Sequence, residues 1–162
     1  MAERKPANVG AIAKYLSDLM GRDVEAKAVA AMDDVGGGAV VASYTDDNGG
    51  VEALCVCDVG AAASLAAALS LVGPAQVQDA AKAQKIDGVL RENFHEVCNI
   101  LGRLVSESTS GIDTEQLRLR ELSDVADAPE DVATLLGAPA ARVDTNISVQ
   151  GYSGGYLALL TQ

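Results

Sequence analysis

Apolar positions between about Lys85 and Ser106 recur at three- and four-residue spacing, and this run carries the clearest periodic signal in the chain. Leu90, Phe94, Val97, Cys98, Leu101 and Val105 fall on one side of a helix, the pattern of a core-facing stripe. Glu92, Glu96, Asn99 and Arg103 fall on the opposite side. Nearer the start, Ala7 to Met20 reads as another helix, with Ile12, Tyr15, Leu16, Leu19 and Met20 on one face and Gly21 as a stop. Val24 to Ala31 has a weak strand pattern, whereas Ala39 to Thr45 and Val51 to Asp58 are firmer strands. Between the last two lies Asp46-Asp47-Asn48-Gly49-Gly50, the composition of a hairpin turn. Gly60 to Val72 is an Ala/Leu-rich helix ending at Gly73-Pro74, with a polar linker through Asp79. After a Ser/Thr/Gly break at Ser108 to Gly111, Gln116 to Leu122 alternates leucines with Arg118, Arg120 and Glu121. Pro129 to Leu136 reads as a short helix opened by proline and acidic residues. Two final strands, Arg142 to Gln150 and Tyr156 to Thr161, flank a second glycine-rich hairpin at Gly151 to Gly155.

Set side by side, the two halves share one order of elements: amphipathic helix, strand, then a hairpin closed by a Gly-Gly turn. Direct similarity between the halves is slight, so the repeat exists at the level of architecture. Two such helix-strand-hairpin units predict an α+β domain, one antiparallel sheet with the long helices packed on one face. No stretch of disordered composition divides them, and residues 1–162 read as a single domain.

Composition narrows the function. Hydrophobic residues make up 49% of the 162 positions, yet there is no Trp and one Phe, which implies an aliphatic core with closely approaching elements. A formal net charge of −11 opposes binding to nucleic acid or to anionic membranes. No apolar run is long enough to span a bilayer. The first residues lead into an amphipathic segment rather than a signal peptide. Cys55, Cys57 and Cys98 are an odd set with no secretory signal, pointing to reduced thiols and a cytoplasmic location.

Within the long helix, the outer row breaks a local rule. Glu92 and Glu96 are like charges four apart, and Asn99 is a mediocre helix former, so the row is not selected for helix stability. Other candidate chemistry is thin. His95 is the sole histidine, and as a sequence neighbour of Glu96 it does not share its direction. It reads as a surface residue. The two strand cysteines sit in an apolar run and Cys98 on the core stripe, the placement of buried inert thiols rather than metal ligands. Gly36-Gly37-Gly38 precedes a strand and lacks the Lys-Ser/Thr of a phosphate loop. A single histidine without a nucleophile elbow gives no serine-hydrolase constellation.

Three features together resemble the CheC/CheX family of chemotaxis phosphatases. They are Glu96-x-x-Asn99 within Glu96-Val-Cys-Asn-Ile-Leu-Gly102, the strand-then-helix run from Ala53 to Leu69 upstream of it, and Leu16-Ser-Asp-Leu-Met-Gly21 followed by Asp23-Val24. Where family members carry the motif in both repeats, this chain has Asn8 with Lys5 three residues before it, so its single site is more similar to CheX. The resemblance implies removal of the aspartyl phosphate from a phosphorylated CheY-type response regulator. Glu96 and Asn99 would be catalytic: Asn99 would orient the attacking water, and Glu96 would pair with a lysine of the regulator. Glu92 and Arg103 would serve partner binding. Such a site needs no cofactor or metal of its own, because the regulator supplies Mg²⁺, and positioning accounts for much of phosphoryl-transfer catalysis. The family also implies a homodimer formed through the sheets. Two alternatives use the same scaffold: a non-catalytic module binding a regulator or flagellar switch component through this helix, and a dimerising domain with no such role.

Overall fold

In the computed structural model, residues 7–32, 34–107 and 116–162 are described. Among them are five α-helices and six strands: α1 (Val9–Met20), β1 (Val24–Ala28), β2 (Val40–Thr45), β3 (Val51–Cys57), α2 (Val59–Ser70), α3 (Pro74–Ala83), α4 (Gly88–Glu107), β4 (Arg118–Asp124), α5 (Glu130–Gly137), β5 (Ala141–Val149) and β6 (Gly155–Thr161). The break expected at Ser108 to Gly111 and the expectation for Lys5 lie outside the described residues.

Local chemistry sets the boundaries. Asn8 caps α1 by accepting from the Ala11 amide at 2.8 Å, and Gly21 ends it in the left-handed region at φ 65°. Asp58 caps α2 in the same way. The polar linker expected between Gly73 and Asp79 is instead the first half of α3. Pro74 starts that helix at a position where its missing N–H costs nothing, and Val77 and Ala80 are buried from it. Two apolar residues on a ten-residue polar helix give a periodicity too sparse to read.

The strands form one antiparallel sheet in the order β1-β5-β6-β3-β2-β4. Exchanging β1 with β4, β2 with β5 and β3 with β6 regenerates that order reversed. The sheet therefore has a pseudo-two-fold axis between β3 and β6, where Cys55 faces Leu159. The repeat inferred from element order is thus real in space. Helices α1, α2 and α4 pack on one face over Val40, Ala42, Tyr44, Ala53, Cys55 and Leu157, with α3 against α2. The opposite face holds a smaller core, where Val132 and Leu135 of α5 cover Val41, Leu54, Val56, Ala158 and Leu160. Both faces of β3 are consequently buried, which is why its alternation of cysteine with leucine and valine carries no polar side.

A finer signature ties the halves together. Ser17 donates to the Ala13 carbonyl (2.8 Å) and accepts from the Val24 amide (3.0 Å), locking the end of α1 to the start of β1. Ser106 donates to the Gly102 carbonyl (2.7 Å) and accepts from the Leu117 amide (2.8 Å), making the same lock between α4 and β4.

Candidate functional site

The inner stripe of α4 is buried as the periodicity predicts: Leu90, Phe94, Val97, Cys98, Leu101 and Val105 are each 7% exposed or less. Three hydrogen bonds to neighbouring elements hold the helix in place. Tyr44, fully buried on β2, donates to the Cys98 carbonyl at 2.7 Å. Tyr15 on α1 donates to the Ile100 carbonyl at 2.9 Å. The Asn93 amide donates to the Ser70 hydroxyl, at the end of α2, at 2.6 Å. Arg91 adds a charged contact to Asp124 at 3.0 Å on the β4 side. Burial pushes the Tyr44 phenol and the Cys98 thiol well above their ordinary pKa values, so both remain protonated and neutral.

Over this fixed base, Glu92, Glu96, Asn99 and Arg103 are all exposed. Glu92 and Glu96 have no ion-pair partner among the described residues, and the Asn99 amide makes no hydrogen bond to any of them. Arg103 pairs with Glu107 at 3.4 Å on the surface, a contact of little energetic weight. Asn99 and Arg103 border a shallow groove against Tyr15 and the start of β4. Glu92 and His95 border a second one against Leu122. His95 is exposed, and one helical turn separates it from Asn99 on that flank.

Chemically, the crest offers one amide that can both accept from water and donate to an oxyanion, and two carboxylates unpaired among the described residues, beside two shallow grooves. The described residues include no cluster of three or more His, Cys, Asp or Glu arranged to hold a metal ion. No helix among them is long and apolar enough to cross a membrane.

The repeat axis shows why the first half lacks a counterpart. With the Ser17 and Ser106 locks superposed, Ala7 falls opposite Glu96 and Gly10 opposite Asn99. Asn8 is not the equivalent of Asn99, since its side chain caps α1. Sequence reasoning missed Tyr15, Tyr44 and Asn93 as supports of the site. Only Asn93 left a signal, a second amide residue within an otherwise good helix.

No family model matches the chain, and no curated protein matches its sequence. Solved structures do match in fold. The FliM middle domain from H. pylori superposes with a TM-score of 0.64 at 10% identity, over 94% of this chain and 84% of that one. The FliG–FliM complex from H. pylori gives 0.63 at 12%, over 94% and 85%. FliY from Thermotoga maritima gives 0.55 at 15%, over 94% and 83%. At such identities the likeness establishes the fold. The CheC-like architecture implied by the sequence resemblance is the one this chain shares with FliM and FliY.

Proposed function

We propose that this chain is a phosphatase for the aspartyl phosphate of a CheY-type response regulator, with the single-site arrangement of CheX. The observation that carries the reading is Asn99: an exposed amide with no partner among the described residues, one turn beyond Glu96, which is likewise unpaired among them, on a helix pinned from both sides. A substrate buried in another protein's pocket requires a catalytic group that projects, and α4 projects one. Asn99 orients the attacking water while donating to a phosphoryl oxygen; an amide is too weak a base to take the proton itself. Glu96 engages a lysine of the regulator and sets the register of docking, with Glu92 and Arg103 on either side. The regulator brings the phosphoryl group and Mg²⁺, so this chain supplies position and hydrogen bonds only.

Kinetics separate the roles. Asn99→Ala removes the acceleration of phosphate loss at saturating enzyme while binding persists. Glu96→Ala raises KM more than it lowers kcat. Phosphate release from a phosphorylated regulator at varied enzyme concentration measures both.

A second reading has its own support, because the fold neighbours include FliM in complexes with FliG and with SpeE. On that reading α4 is a protein-binding face without catalysis, acting within a chemotaxis or flagellar switch assembly. Binding to the phosphorylated regulator without accelerated phosphate loss would select it.

A further inference from the structure

Leu71 breaks two rules at once. It terminates α2 in the left-handed conformation at φ 58°, a place where glycine or asparagine is the favoured residue. It also holds a large apolar side chain 78% exposed, more than any other large hydrophobic residue described. Second in that ranking is Val89, at 60%. One side-chain hydrogen bond joins the helices that carry them. Ser70, immediately before Leu71, accepts from Asn93 at 2.6 Å, and Val89 and Glu96 lie one turn to either side of Asn93 along α4. The other exposed large apolar residues among those described, Val29 and Met32, lie in the segment that follows β1.

From this juxtaposition we infer that Leu71 and Val89 form the apolar end of the docking surface on α4. The surface then runs from two apolar contacts, past the unpaired carboxylates of Glu92 and Glu96, to Asn99. Its complement is a protein face with apolar side chains beside a basic residue, since two free acidic groups next to a dry contact need a cationic partner. The inference rests on the regulator reading above and deepens it, assigning the partner a second, hydrophobic foothold that at Val89 lies about three turns of α4 from Asn99. It also accounts for the conformation at Leu71: a glycine there would be easier to fold and would have nothing to bury.

The test is direct binding of a phosphorylated CheY-type regulator with Mg²⁺ to wild type, Leu71→Asn, Val89→Ser and, as a control at an exposed apolar site elsewhere, Met32→Ser. Asparagine accepts the left-handed conformation, so Leu71→Asn keeps or raises the Tm. The expected result is binding weakened at least about tenfold by Leu71→Asn and by Val89→Ser, and unchanged by Met32→Ser. Wild-type affinity in both variants would overturn the apolar foothold while leaving the regulator reading standing. Absence of binding by wild type would overturn both. Concentration-dependent self-association of wild type that disappears in Leu71→Asn would also overturn it, by making a second copy of this chain the occupant.

Discussion

Asp144 lies almost out of water on β5, accepting from Arg142 Nη2 at 2.8 Å, from Arg142 Nε at 3.0 Å and from the Tyr156 hydroxyl. Burial works to raise its pKa, but the hydrogen bonds from Arg142 and Tyr156 outweigh it and hold the carboxyl below its ordinary value. A carboxylate with a depressed folded pKa contributes stability that is present above the unfolded value near about 3.9 and lost as pH falls through the folded one. Urea unfolding should accordingly show Asp144→Ala costing about 2–4 kcal/mol at neutral pH, with the difference from wild type shrinking below about pH 4. The thiols allow a second residue-scale prediction. Cys55, Cys57 and Cys98 are all buried, and burial raises the Cys57 and Cys98 pKa values well above normal. Ellman's reagent should find no reactive thiol in the native protein and all three after denaturation. Their inertness was legible from their places on an apolar strand and a core stripe. The tyrosine bonds to the Cys98 and Ile100 carbonyls were not, because they depend on which strand and helix meet α4, and periodicity within one element carries no information about its neighbours.

Among the elements, α2 is the one whose environment the sequence disguises most. Nearly every residue from Val59 to Ala68 is buried, on all sides of the helix, between the sheet and α1, α3 and α4. A helix so enclosed needs small side chains, and alanine is both small and the best helix former. Ala66→Leu, at a position with no exposed surface, should therefore lose about 1–3 kcal/mol in chemical denaturation despite its added apolar area. The composition points to close packing, but a helix without a polar face gives no direction, and the first half of α3, which covers it, has the pattern of a polar linker. The serine locks at Ser17 and Ser106 are the converse case, alike in bonding pattern and invisible in sequence because only one side chain per half is shared. Ser106→Ala leaves the buried Leu117 amide without its acceptor and should cost about 1–3 kcal/mol by the same measurement.

Across the whole molecule, the pseudo-two-fold sheet presents two equivalent helix positions, and the candidate site lies at one of them. The α1 position carries Ala7 and Gly10 where the α4 position carries Glu96 and Asn99, so architecture is duplicated and chemistry is not. Helix, strand and hairpin order sufficed to predict the sheet and its internal repeat, since each hairpin announces itself through glycines at its turn and α1 and α4 through their stripes. The apolar end of the candidate site was hidden for a different reason. Leu71 matters through its conformation and exposure, and a leucine at the end of an Ala/Leu-rich run looks like core. The account as a whole turns on Asn99 acting on a phosphoryl group carried by another protein. Its most direct test is the rate of phosphate loss from a phosphorylated CheY-type regulator with Mg²⁺, followed with wild type and with Asn99→Ala at equal Tm. The account predicts acceleration by wild type that falls to the regulator's own rate in the variant; equal rates with both proteins, whether accelerated or not, would contradict it.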